Sequence, residues 1–325
     1  MSNIKLSLAC GAYEITRALI DGTVQPDGID LTVLTRDKER IYRIGRRDEV
    51  DLCEFNVMAF FRHAGLGHPI VALPVFPHRR FRHGSIYVRA DAGIASPADL
   101  AGRSVVIGGY EPAAAIWIRG ILEDEFGVGA GDVDWVDVFG LLGRLPAGQA
   151  APFTDPRARL EADKALLNGE AAAMISAYIP RAFLDGDPRV GRLFPDPRAV
   201  ETDYFARTRI FPIMHAVTVR RAVVEEHPWV PESMTAAFTE AKRVALRRLR
   251  NPRVAPLAFW QYALEEQDRV IGEDPWQYGL TEENRVTLET ALRYATAQQI
   301  CRPGLRIDDL FTDVENTSLV TSEFV

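Results

Sequence analysis

From Ile4 to Phe76 the chain repeats one pattern: a short apolar, β-branched run, a glycine or polar break, then a helix-like segment. IKLSLACG reads as a strand that stops at Gly11, and TRALIDG as a short helix ended by Gly22. IDLTVL, VDLCEF and IVALPVF read as further strands; between them lie a charged helix, Lys38–Arg47, and the helix NVMAFFRHAGLG. Strands that alternate with helices imply a parallel sheet with right-handed crossovers.

The pattern restarts at SPADLAGRSVVIGGYEPAAAIWIRGILEDEFG. Ser96 is placed to cap a short helix, SVVIG is strand-like, and Glu111–Phe126 carries Ala, Ile, Trp and Leu on one helical face. DWVDV and AAAMISAY read as strands, 140–158 as a Gly-, Pro- and Ala-rich loop, and Arg159–Asn168 as a helix. After the strand FPIMHAVTV the chain turns helical, over Trp229–Arg250, Val254–Ile271 and Thr281–Gln299. The expected organisation is α/β with two lobes. Residues 1–104 plus 211–325 form the first, and 105–210 form a second, inserted lobe. Open α/β sheets bind ligands at the carboxyl ends of their strands, so two such lobes predict an interlobe cleft.

Charge narrows the functional classes. Lys and Arg number 38 against 45 Asp and Glu, for a net charge of -7, which argues against a nucleic-acid track. Within this acidic chain, FPHRRFRHGSIYV gathers His78, Arg79, Arg80, Arg82 and His83 into six positions. The bland explanation is a solvated loop; the functional one is a site for an anion. No run approaches the about 20 apolar residues of a membrane span, and the apolar stretch before SLAC is too short for a signal peptide. The three cysteines are far apart and in no metal-ligand spacing, so a reducing, cytoplasmic setting is expected. IGGYEPA fits neither a dinucleotide fingerprint nor a P-loop.

Several segments carry a family likeness. TRALIDGTVQPDGIDLTVL, PVFPHRRFRHGSIYVR, DPRVGRLFPDPRAVETDYFARTRIFPIMHAVTVRR and EDPWQYGL resemble the 4,5-dihydroxyphthalate decarboxylase family, over nearly the whole chain. The resemblance implies a type II periplasmic-binding-protein-like fold without export, and decarboxylation of a hydroxylated aromatic (di)carboxylate. GGYEPAAAIWIRG matches the family pattern at Tyr110, Trp117 and Arg119 but departs from it at Gly109, Glu111, Pro112 and Ala113, which leaves the substrate open. Two alternatives remain: a non-catalytic binding protein for a small aromatic or carboxylated solute, and another biosynthetic enzyme on the same scaffold. Homo-oligomerisation is also left open.

An aromatic dicarboxylate requires paired cations, and the planar fork of Arg suits a carboxylate better than Lys does. Arg79, Arg80 and Arg82 are the candidate clamp, with Arg119 behind them. Loss of CO2 directly from the ring would leave an in-plane carbanion that the π-system cannot delocalise. A phenolate ortho or para to the carboxylate removes that problem, so no organic cofactor is expected and a proton donor is; no metal is expected either, because His78 and His83, like His63 and His68, are five apart and the Arg-rich surroundings repel a dication. Histidine suits that task, and the candidates are His83 and His215, with Glu54 to orient a histidine or accept a phenol proton. His63, His68 and His227 read as structural. Tyr110, at a helix N-terminus, and Ser176 and Tyr178, after a strand, are candidate ligand contacts; Trp117, Trp276 and Tyr278 read as packing.

Overall fold

The computed structural model describes residues 3–35, 49–137, 156–254 and 256–314. The expected helix Lys38–Arg47 and nearly all of the expected loop 140–158 lie outside them. Two compact units emerge: Met1–Arg79, Thr208–Thr290 and Arg302–Val325 form the first, Arg80–Arg207 and Ala291–Cys301 the second.

The first unit is built on a five-stranded sheet, β1 (Ile4–Cys10), β2 (Ile29–Thr35), β3 (Leu52–Asn56), β4 (Ile70–Arg79) and β10 (Ile213–Arg220), in the order β2-β1-β3-β10-β4. β1 runs parallel to β2 and β3, as the alternation predicts. β10, however, is antiparallel to both β3 and β4, so the sheet is mixed. The physical reason lies in connectivity. β10 follows the long segment Arg80–Arg207 of the second unit instead of a crossover helix from a neighbouring strand, so the crossover rule does not set its direction. α1 (Arg17–Ile20) and α2 (Val57–Gly65) follow β1 and β3. Asn56 starts α2 by accepting the N–H groups of Met58 and Ala59 at 3.0 and 3.2 Å.

β4 is longer than the sequence suggests and carries His78 and Arg79 as strand residues. Pro74 is tolerated inside it because β4 is an edge strand. That edge is covered: Gly279 N–H donates to the Pro74 carbonyl, and Thr312 N–H to that of Ala72, both at 2.8 Å. Between Val217 and His215 the β10–β4 register shifts, from Val217 opposite Leu73 to His215 opposite His78.

The second unit holds β5 (Ile86–Arg89), β6 (Ser104–Ile107), β7 (Asp134–Asp137), β8 (Ala173–Ile175) and β9 (Val190–Arg192), in the order β7-β6-β8-β5-β9. β6 is parallel to β7 and β8, while β5 is antiparallel to β8 and β9. The expected boundaries were 104/105 and 210/211; pairing with β8 and β9 draws β5, and with it all residues from Arg80, into this unit. Alternate strand residues separate onto two faces. Ile86, Val88, Val105 and Ile107 pack with Ile118 and Leu122 of α3 (Ala113–Phe126). Tyr87, Val106 and Met174 pack with Ala162, Ala165 and Leu166 of α4 (Pro156–Asn168). Two further helices of this unit are α5 (Arg181–Leu184) and α6 (Pro197–Thr208).

The C-terminal half adds α7 (Arg221–Glu226), α8 (Val230–Leu249), α9 (Trp260–Val270), α10 (Glu282–Ala297) and α11 (Ile307–Leu310). α9 is shorter than the expected Val254–Ile271: bends and turns occupy 251–254, with Pro252 among them, a further turn lies at 258–259, and the helix starts at Trp260. Gly120 of α3 admits the Tyr294 ring: a Cβ there would lie 2.3 Å from it. Tyr294 cannot swing away, because its hydroxyl donates to Asp124 at 2.5 Å and its ring meets Trp117 edge-on at 5.5 Å. Gly120→Ala is therefore expected to destabilise the protein by about 1–3 kcal/mol, read as a lower urea midpoint, while Ala114→Gly on the same helix shows no such overpacking effect.

Candidate functional site

The first unit concentrates its chemistry where β1 and β3 end. Glu54, on β3, is 1% exposed, and an isolated carboxylate there would be strongly disfavoured. Three donors compensate. Gly11 N–H, just past β1, donates to Oε2 at 2.7 Å; the Tyr13 hydroxyl donates to Oε1 at 2.6 Å; and His215 Nδ1 meets the same Oε1. Burial alone raises the Glu54 pKa, but the His215 charge, followed by the hydrogen bonds from His215, Tyr13 and Gly11, outweighs it and leaves the group below its ordinary value. Glu54 is thus an ionised acceptor. A carboxylate cannot donate, so Nδ1 of His215 carries the proton and Nε2 is left for chemistry.

The register shift in β10 completes the cluster. It places His78 beside His215, ring centroids 4.6 Å apart, and Tyr13 stacks over His78 at 6.1 Å. A β-bulge re-aims side chains in this way next to active sites. Tyr13 reaches Glu54 because residue 11 is glycine: a Cβ there would lie 2.6 Å from the Tyr13 ring. Cys10 is adjacent but inert, since burial and then the Glu54 charge push its thiol far up.

The sequence offers Glu54 and His215 as candidates; Tyr13 and His78, which the structure brings beside them, it does not single out as their partners. The signal for Tyr13 was GAY directly after a strand, a glycine that an aromatic ring needs for close approach.

Arg79 is turned into its own unit. It is 5% exposed and donates to the carbonyls of Phe211 and Gln277, at 3.4 and 2.9 Å, and to Asn284 Oδ1. Burial lowers its pKa to about 10. These bonds tie β4 to EDPWQYGL, and they occupy the fork that the sequence assigned to a ligand carboxylate. Buried Lys242 secures the same segment through Asp274, at 2.5 Å, and the Trp276 carbonyl, at 2.9 Å.

The remaining candidates belong to the second unit. Arg80 is exposed, whereas Arg82 is 3% exposed and burial, then the Arg80 charge, brings it to about 9. His83 is enclosed by Tyr204 and Phe194, with ring centroids at 5.0 and 5.7 Å. The cavity beside Arg82 and His83 measures about 10 Å³, at the limit of one water. Arg119 lies 3.7 Å over the Tyr110 ring, donates to the Tyr110 carbonyl at 2.5 Å and to Gln298 at 2.7 Å, and is fully buried. It bolts GGYEP to α3 and to the end of α10. Ser176 accepts the Tyr178 N–H at 3.2 Å, and the Tyr178 hydroxyl donates to the Arg159 carbonyl at 3.1 Å.

The architecture is of the periplasmic-binding-protein-like class. The periplasmic aliphatic sulphonate binding protein SsuA of Escherichia coli superposes with a TM-score of 0.59 at 13% identity, over 95% of this chain and 97% of that one. No family model matches the chain. A protein named 4,5-dihydroxyphthalate decarboxylase from Comamonas testosteroni is 38% identical over 286 residues, 84% of this chain and 86% of its own length. A protein of the same name from Pseudomonas putida is 37% identical over 218 residues, 63% of this chain and 83% of its own. The chain belongs to the 4,5-dihydroxyphthalate decarboxylase family, a family of carboxy-lyases.

Two expectations follow. Tyr13→Phe removes one donor from Glu54 and is expected to cost about 1–3 kcal/mol of stability, measured by urea unfolding. Burial lowers His83 to about 4, against 6.5 for the free side chain. Between these values the unfolded chain binds the extra proton, so stability is full above pH 6.5 and falls as pH drops toward 4. By pH 5 the loss reaches about 2 kcal/mol, and His83→Gln is expected to flatten that slope in urea midpoints measured at pH 7 and 5.

Proposed function

We propose that the chain decarboxylates a hydroxylated aromatic dicarboxylate such as 4,5-dihydroxyphthalate, with His215 as proton donor and Glu54 as its orienting anion. The observation that carries this reading is the buried Glu54–His215 pair, joined by Tyr13 and His78 at the strand ends. The relatives' names supply the substrate class.

In 4,5-dihydroxyphthalate each carboxylated ring carbon is para to a hydroxyl. Once that phenol gives its proton to water, the phenolate pushes an electron pair into the ring. The His215 imidazolium, stabilised by the Glu54 carboxylate, delivers the Nε2 proton to the carboxylated carbon. The bond from ring to carboxylate then breaks, CO2 leaves, its bonding pair restores aromaticity and the para phenolate regains a proton. His215 is reprotonated from water. The dienone formed when the ring carbon is protonated accepts the bonding pair left by CO2, the part of electron sink that an organic cofactor would otherwise play. The three cysteines are buried and joined by no disulfide, which supports a reducing, cytoplasmic setting for the reaction.

His215→Asn keeps a donor toward Glu54 but cannot transfer a proton. It is expected to lower kcat for 4,5-dihydroxyphthalate by about 10²- to 10⁴-fold, with circular dichroism and urea midpoint little changed. Glu54→Gln is expected to lower kcat and shift its pH profile, because the imidazolium loses its counter-charge. Saturable binding of 4,5-dihydroxyphthalate without CO2 release by the wild type, or near-normal turnover by His215→Asn, would overturn the assignment.

A further inference from the structure

The register shift that completes the Glu54–His215 cluster also brings in His78, to which the proton transfers proposed above give no task. His78 stands opposite His215 across β4 and β10, with ring centroids 4.6 Å apart. Cross-strand partners share one face of a sheet, so both imidazoles lie on the same side. Arg79, the next residue, faces the other side, where the Gln277 carbonyl and Asn284 hold it. His215 is 5% exposed, whereas His78 and Tyr13 are half-buried and form the edge of the cluster that meets solvent. Nδ1 of His78 is buried, which leaves Nε2 as the nitrogen that can meet a ligand.

Chemistry and spacing together identify what this ring reads. A dicarboxylate brings two negative charges to a cluster that already holds the Glu54 anion, and each carboxylate needs donors to replace its hydration. The Tyr13 hydroxyl is given to Glu54 and Arg79 faces away, so within the cluster the N–H of His78 is placed to serve. In an ortho dicarboxylate the two carboxylated carbons share one ring bond. The acid at one carbon and the donor to the neighbouring carboxylate must then be adjacent, each within about 3 Å of its target. Two imidazoles at 4.6 Å meet that demand, and a meta or para carboxylate is carried away from it. The arrangement bears on selectivity as well. Loss of one CO2 from 4,5-dihydroxyphthalate leaves 3,4-dihydroxybenzoate, whose carboxylate is still para to a hydroxyl. Ring electronics alone therefore do not protect this product from a second decarboxylation. What it lacks is the neighbouring carboxylate, and a polar group built to pair with that carboxylate is left unsatisfied when the product binds.

We propose that His78 binds the carboxylate that stays on the ring, and so selects aromatic 1,2-dicarboxylates. The assignment rests on the decarboxylation reading, but binding tests it apart from turnover: phthalate, isophthalate and benzoate carry no hydroxyl to drive the reaction. By titration calorimetry the wild type is expected to hold phthalate about 10- to 100-fold more tightly than isophthalate or benzoate, the range of one charge-assisted hydrogen bond. His78→Phe keeps a ring against Tyr13 and His215 but has no donor. It is expected to lower phthalate affinity to that of benzoate, leave benzoate unchanged, and raise KM for 4,5-dihydroxyphthalate with kcat changed far less. His78→Gln restores an N–H donor and is expected to regain part of the preference; circular dichroism and urea midpoints of both variants check that they fold. A wild type with no preference for phthalate, a His78→Phe variant that weakens phthalate and benzoate alike or neither, or turnover of 3,4-dihydroxybenzoate at a rate near that of 4,5-dihydroxyphthalate overturns the assignment. Selective, His78-dependent phthalate binding without CO2 release from 4,5-dihydroxyphthalate would instead sink the decarboxylation reading and leave His78 as the carboxylate contact.

Discussion

The buried carboxylate of Glu54 is the constraint from which the first unit's chemistry follows. An anion at 1% exposure persists only if donors replace its hydration, and here the donors come from two distant parts of the chain: Gly11 and Tyr13 in the turn after β1, and His215 on β10. Meeting that demand fixes Gly11 as glycine, aims the Tyr13 hydroxyl inward and sets the His215 tautomer. The same contact bears on His215, because a ring whose Nδ1 is held by an anion can form an imidazolium at lower cost.

The basic cluster that stands out in the sequence serves a more divided purpose than its charge suggests. Arg79 fastens β4 to the loop around Gln277 and Asn284, Arg82 is buried in the second unit, and Arg80 remains exposed. Arg119 acts like Arg79, with a carbonyl, an amide and an aromatic face as its partners. A guanidinium offers five donors in a rigid fork, so it serves equally well to bind a ligand carboxylate and to gather loose carbonyls. A sequence shows the residue but not which of these partners comes within reach.

Much of the local structure was legible in the sequence. Strands at Ile4–Cys10, Ile29–Thr35 and Leu52–Asn56, and the helix Ala113–Phe126, follow from periodicity and from the glycines that end them. The direction of β10, the register shift opposite His78, and the turns that delay α9 to Trp260 did not. Hydrophobic alternation is the same for a parallel and an antiparallel strand, and a bulge leaves no periodic trace.

By itself the sequence determined the α/β class and the family, and it named Glu54 and His215 as candidates, because those depend on local pattern and residue chemistry. Only the tertiary structure decided that Tyr13 and His78 join them, and that Arg79 and Arg119 are internal ties. These hydrogen bonds span from 9 to 205 residues along the chain, and hydrogen bonding depends on separation in space, which no one-dimensional pattern encodes.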